Sequence, residues 1–281
     1  MSSKGINSHI QIPAGILKYF RDTTSPEKKV WSLDTGSGKI TRRPYHHLGT
    51  QSGYFAPETE QFWNETIESP IASLNSRIRA FCEGKAASVK VTPEDLDTAK
   101  RYVKASMLRS GLTYDTFLKH SVTAFLFSDQ ENRDAIARFG MSEQAGGFEK
   151  MTDGFRLSLL VNKSTRHLVV PRNCFYWISS HKMLSIVIPI SPQGALLLVP
   201  GDYPSEPEEY GVLQKAEDVE WLNTSALRAE YHQNKATGSF VAADRKEELL
   251  LLQDYREQHM AELDAIRTES FSRTDVSSHE G

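Results

Sequence analysis

Residues 184–199, Leu184-Ser185-Ile186-Val187-Ile188-Pro189-Ile190-Ser191-Pro192-Gln193-Gly194-Ala195-Leu196-Leu197-Leu198-Val199, decide the fold. Two apolar runs, Leu184 to Ile190 and Ala195 to Val199, flank a Ser, Pro and Gly break, the pattern of two buried strands and a turn. Just upstream, Arg166 to Pro171 and Phe175 to Ile178 read the same way. After about residue 153 the chain therefore changes from helix to sheet, with three or four strands expected between residues 166 and 199. Ser239 to Ala243 reads as one more short strand, which takes the sheet part to residue 243.

Before that change the period is helical. Trp63, Ile67, Ile71, Leu74, Ile78 and Phe81 recur at spacings of three and four, which places them on one face of a helix from Pro57 to Phe81. Pro70 lacks an amide donor and crowds the preceding turn, so a kink or break is expected there, with Ser69 as a cap. Thr92-Pro93-Glu94-Asp95 is a capping box that opens the next helix. On it Leu96, Ala99, Val103 and Met107 lie on one side and Tyr102, Ala105, Leu108 and Leu112 on the other, so it should lie largely inside. Residues 114–127 and 130–140 read as further helices, Gly146-Gly147 as a loop, and the helical part runs from 57 to 150.

The ends are as readable. Residues 28–43 alternate around Asp34-Thr35-Gly36-Ser37-Gly38 and predict a hairpin. Residues 202–210, rich in Pro and acidic groups, read as a loop and 216–233 as a helix. Residues 246–267 carry Leu249, Leu252, Tyr255, His259, Leu263 and Ile266 on one side, an apolar face that docks onto the body or a protein partner. The Ser-rich tail from 268 to 281 has too little apolar content to fold. These readings predict one α+β domain over residues 1–267, a helical hairpin or bundle packed on a mostly antiparallel sheet that the N-terminal hairpin joins.

Composition narrows the function. The 281 residues carry a net charge of -3, which disfavours a protein that coats nucleic acid by bulk charge and leaves room for a local basic groove that takes RNA. Candidates for that groove are Lys28-Lys29, Lys39 with Arg42-Arg43, and Lys100-Arg101 with Lys104, the last read as a solvated stripe. Cys82 and Cys174 are isolated, and His46-His47 has no acidic neighbour at ligand spacing, so neither a metal site nor another cofactor is expected. Without an apolar leader in residues 1–8 or a membrane-length apolar run, the expectation is a cytoplasmic protein with no membrane partner. There is no phosphate-cradling Gly loop and no Gly-x-Ser-x-Gly elbow.

A set of short motifs in order carries a resemblance. His9-Ile10-Gln11-Ile12-Pro13 with Leu17 and Phe20, the hairpin, Ile67-Glu68, Arg109 after a helical apolar run, and Ile188-Pro189-Ile190-Ser191-Pro192 together resemble the bacterial and phage family called domain of unknown function 4238, up to about residue 245. Pro13 follows His9 by four residues where the family usually has three. Arg172-Asn173-Cys174 stands where many members carry Asp-x-Pro. Similar proteins occur among accessory genes of bacteria and their mobile elements, some linked to anti-phage defence, so the resemblance implies a defence or toxin-like effector.

The residues then pose two readings. As an enzyme, the chain would cleave RNA without metal, with His9 as acid or base, Arg109 stabilising charge on a phosphorane and Glu68 holding Arg109. As a non-catalytic sensor or binding module, it would use His9, Glu68 and Arg109 as a buried polar network. Both expect Arg109, which cannot shed its proton on a buried helix, to meet Glu68 across two antiparallel helices. Asn223 reads as a helix-packing hydrogen-bonder, Asp153 and Arg156 as a surface pair at helical spacing, and His259 as a core histidine.

Overall fold

The structure, a computed structural model, describes residues 7–9, 13–52, 54–109, 128–142, 147–180, 183–201, 210–233 and 239–265. The expectations for residues 114–127, most of 202–210, and the tail lie outside them. The α+β class holds: helices pack around two mostly antiparallel sheets.

Strand β1 (Asn7–His9) pairs with β4 (Thr50–Ser52). The hairpin strands β2 (Lys29–Asp34) and β3 (Ile40–Pro44) pair in register, Leu33 opposite Ile40. Five strands form the larger sheet in the order β10 (Tyr210–Leu213), β5 (Arg156–Asn162), β9 (Gly194–Val199), β8 (Met183–Ser191), β7 (Tyr176–Ser180). All its neighbours are antiparallel except β10 with β5. The hairpin does not join this sheet. It pairs instead with β11 (Phe240–Ala243) and, beyond it, β6 (Val170–Pro171) in a second sheet of order β3-β2-β11-β6.

The reason residues 184–199 are apolar throughout, and not alternating, is that their sheet is covered on both faces. Ile186, Ile188, Ile190, Leu196 and Leu198 face a core shared with Trp63, Ile71, Ile78 and Val103. Val187, Ala195 and the neighbouring Tyr176 face a second core with Leu222, Leu227, Leu249 and Leu252. Helices therefore lie on both sides of the β layer. On the first side are α2 (Pro57–Trp63), α3 (Ser69–Cys82), α4 (Pro93–Leu108), α5 (Asp129–Gly140) and α6 (Gly147–Met151), with α1 (Ala14–Leu17) at its edge; on the second are α7 (Ala216–Gln233) and α8 (Lys246–Gln258).

Several expectations change. The larger sheet starts at Arg156, not 166: Leu157, Leu159 and Val161 alternate with Arg156, Ser158 and Leu160 and form β5. Arg156 opens that strand while Asp153 sits in a turn and accepts the Gly154 amide, so the two are not spaced as helix neighbours. Pro70 breaks nothing, and Ser69 is no cap. A π turn, Asn64–Glu68, joins α2 to α3 with the Ser69 amide bonded to the Asn64 carbonyl, and this wider turn carries the chain into Pro70 without a break. Thr92 does form the expected capping box with Asp95.

The C-terminal helix is also shorter than 246–267, ending at Gln258 before a turn at His259 and a further helical stretch over 260–265. Its apolar face is spent on the body, where Leu249 and Leu252 are buried, and is not left for a protein partner. Arg256 fastens it to the hairpin by donating from Nε to the Thr35 carbonyl and from Nη2 to the Gly36 carbonyl. The same guanidinium packs on Gly38, φ +71°, where a Cβ would lie 2.7 Å from Nη1. His259 is not a core residue: half-exposed, it stacks on Tyr255 and has Nδ1 3.3 Å from Glu262.

Candidate functional site

Arg109 and Glu68 meet as their helical faces predict. Glu68 closes the π turn and Arg109 follows the last turn of α4, and the Arg109 Nη1 donates to Glu68 Oε1 at 2.8 Å. Arg109 is 3 % exposed while the Glu68 side chain is 26 % exposed, so the pair runs from the interior to the surface. Trp63 and Phe55 wall the guanidinium, their ring centroids 5.0 and 5.8 Å from its Cζ. Glu60 adds a second carboxylate, Oε2 standing 3.9 Å from Nη2. Among the described residues Arg109 Nε and Nη2 have no hydrogen-bond partner, although both are buried.

The outer end of the pair reaches a small cleft of about 220 Å³, lined by Pro13, Gly15, Ile16, Asn64, Glu68 and Ala72. The N-terminal segment thus does come to Glu68, held there by the buried Ile16 and Leu17. His9 is placed by its backbone in β1, opposite Thr50. Whether its ring faces Arg109 concerns a side chain outside the described part of the structure.

Behind Arg109 lies polar chemistry that sequence reading missed. The Tyr102 hydroxyl stands beside the Cys174 thiol, both wholly inside, and the charges of Arg109, Glu68 and Glu230 all act on that thiol. Burial, then the neighbouring thiol, pushes the Tyr102 hydroxyl well above its ordinary range, and burial pushes the Cys174 thiol up as well. Cys174 is therefore a protonated thiol at neutral pH and no nucleophile. Cys82, raised to about 11 by burial, is inert on the same ground. Glu230, from α7, accepts the Asn173 amide at 3.1 Å and the Ser239 hydroxyl at 2.7 Å. Beside it, burial lowers the Arg172 guanidinium, opposed by Glu230 and Tyr54. The one local hint in this tract is Cys174 itself, a non-glycine residue at φ +66°.

No family model, curated protein or solved structure matches this chain.

The remaining candidates divide into fastenings and surface. Asn223, on α7, accepts from the Val169 amide at 3.0 Å and donates to the His167 carbonyl at 2.8 Å, which pins the chain beside β6 to a helix as a packing residue should. Lys104 is not part of a solvated stripe: it is 6 % exposed and donates to Glu149 Oε1 at 2.6 Å. His46 and His47 are exposed on a single 3-10 turn with ring centroids 4.4 Å apart. Among the described residues no three His, Cys, Asp or Glu form a group that would hold a metal ion, and no helix is long and apolar enough to cross a membrane. Arg42 is tied to Asp22 and lies over the Trp31 ring, whereas Lys28 stays on the surface.

Proposed function

We propose that this protein is a non-catalytic binding or sensing module, working in the anti-phage defence setting that the family resemblance implies. The burial of Arg109 carries the reading. A group that stabilises charge on a phosphorane must place its donors 2.7–3.1 Å from the substrate oxygens. Arg109, 3 % exposed and closed in by Glu68, Trp63 and Phe55, instead pins the π turn to the end of α4. A buried polar network of this kind favours one packing over its competitors.

A specific observation favours the effector reading as the alternative. Glu68 opens onto the cleft where the N-terminal segment lies, and Arg109 retains two buried donor groups, Nε and Nη2, that make no hydrogen bond. In that reading, shift of the Glu68 contact would release the guanidinium to an RNA phosphate, with His9 as the acid or base.

Arg109→Lys, which keeps the charge and loses the planar fork, separates the two. Expression of the wild-type chain is expected to leave growth unaffected, and chelator-treated protein to leave a labelled RNA intact. Growth arrest and metal-independent cleavage by the wild type, both absent in an Arg109→Lys protein with a native unfolding transition, would overturn the proposal in favour of the ribonuclease.

A further inference from the structure

At the C-terminal end of α3, away from the end that carries Glu68's neighbours, six separate stretches of chain converge on a cleft of about 520 Å³. The end of α1 brings Lys18, Tyr19 and Arg21, and the approach to β2 brings Lys28. Arg79, Glu83 and Lys85 come from the C-terminal end of α3, while Tyr45, the β8–β9 turn at Gln193 and Asp244 close the rest. No stretch carries a motif, and of these residues only Lys28, in the Lys28-Lys29 pair, belongs to a basic run visible in the sequence. Its volume falls within the range of small-molecule sites, roughly 300 to 1,000 Å³.

The charge of this cleft is one-sided. Five cationic side chains face two carboxylates. Glu83 is engaged by Arg79 and Lys85, whereas Asp244 has Oδ2 2.8 Å from His167 Nδ1 and its Oδ1 buried with no hydrogen-bond partner. The C-terminal end of α3 contributes only about half a negative charge. Lys18, Arg21 and Lys28 have no ion-pair partner among the described residues. The net charge of roughly two to three positive units, in a chain whose net charge is -3, is a local reversal of sign.

The cations are also held in place. Tyr19 carries Lys18 Nζ at 4.8 Å and Arg79 Cζ at 4.4 Å from its ring centroid. Arg79 Nε is buried with no hydrogen-bond partner, a donor already stripped of water. Lys28 adopts φ +52°, a conformation that a lysine occupies at a cost and that sets where its side chain leaves the backbone. Tyr45 supplies a lining ring that no described lysine or arginine covers.

We infer that this cleft binds a small ligand bearing two or more phosphate groups, a nucleoside di- or triphosphate in chemical class, with Lys18, Arg21, Lys28 and Arg79 on the phosphates and Tyr45 beside the base. The inference rests on the binding-module reading and names the ligand class that such a module takes. An ammonium or guanidinium meets phosphate oxygens by charge-assisted hydrogen bonds, and Arg79, held over Tyr19 with its side chain 31 % exposed, has part of its guanidinium open to the cleft. Pyrophosphate alone supplies the charge, and the base adds only what an aromatic face gives.

The test is calorimetric titration of the full chain with ATP and with inorganic pyrophosphate, both free of divalent cations, at low and physiological salt. Saturable one-site binding of both is expected, with ATP the tighter. Arg21→Gln together with Lys28→Asn, where asparagine tolerates the left-handed backbone, should weaken ATP at least tenfold. The charge-matched control, Lys39→Gln with Arg43→Gln, lies outside the cleft and should change it less than twofold. Absence of saturable binding, equal loss in the two double variants, or binding of an oligoribonucleotide with none of ATP or pyrophosphate would overturn the inference. A chain that binds ATP here yet cleaves RNA through Arg109 would defeat the proposed function and leave this site standing.

Discussion

The Arg109–Glu68 pair and the cleft beside Tyr19 both hold arginine near carboxylate, and they differ in which side of the surface the charge lies. At Arg109 the guanidinium is sealed at 3 % exposure between one bonded carboxylate and two aromatic rings. At the cleft beside Tyr19, Arg21 and Lys28 stand exposed with no carboxylate of their own. The first is an interaction the fold needs, because an uncompensated interior charge is strongly unfavourable. The second contributes little to folding and stays available to a ligand. A buried cation marks the architecture, and an unpaired exposed one in a cleft marks the function.

Stability measurements in urea at 25 °C would break or sharpen that contrast. The largest loss is expected for Glu68→Ala, about 3 kcal/mol, because it leaves Arg109 inside with its nearest remaining carboxylate 3.9 Å away. Arg109→Met should cost less, about 1 kcal/mol, since the stranded Glu68 is partly solvated through its own cleft and methionine fills space against Trp63 and Phe55. The reverse order would mean that Arg109 is not held by burial.

An intermediate loss is expected at Asp22, which lies between Arg21 and Thr23 in the chain at 6 % exposure. Its carboxylate accepts from the Thr24 amide and hydroxyl, from Trp31 Nε1 and from Arg42. Asp22→Asn should cost about 1 to 2 kcal/mol at pH 7. Burial pushes this carboxyl up, but the Thr24 and Trp31 bonds and the Arg42 charge outweigh it and hold it below its ordinary 3.8. A folded pKa below the unfolded one adds stability above pH 3.8 and loses it as pH falls through the folded value. The gap between wild type and Asp22→Asn should therefore narrow as pH falls below 3.8; a gap unchanged through that fall would show that the carboxylate charge is not what stabilises this turn.

The smallest change is expected for Arg21→Gln with Lys28→Asn, within about 0.5 kcal/mol of wild type, as befits exposed cations outside any pair. A loss as large as that at Asp22 would place these two residues among the fold's fastenings and remove the contrast.

What was legible in the sequence is what depends on neighbours along the chain. The hairpin, the capping box at Thr92 and the apolar faces of α3 and α4 are local patterns, and the Glu68 to Arg109 contact follows once two such faces are folded together. The start of β5 was obscured because Arg156 stands at the third position after Asp153, a spacing that suits a helix until Leu157, Leu159 and Val161 are weighed as an alternation. The separation of the β strands into two sheets was hidden for another reason: an apolar strand states that it is buried, not which strand it pairs with. The Tyr102, Cys174 and Glu230 tract joins α4, the turn before β7 and α7, and the basic cleft joins six stretches, so neither has a spacing to read.

The π turn at Asn64–Glu68 has a genetic consequence. It is one residue longer than the α-helical turn that would otherwise join α2 to α3, and each residue of a helix advances the face by about 100°. Loss of a single codon within it would leave a continuous helix of ordinary composition while swinging α3 a quarter turn against α2. Trp63 and Ile71 could then no longer share a core, and the carboxylate that neutralises Arg109 would point elsewhere. Point substitutions at the exposed Asn64, Glu65 or Thr66 would be tolerated where that deletion would not. The length of this segment, more than its letters, is what selection on this chain has to preserve.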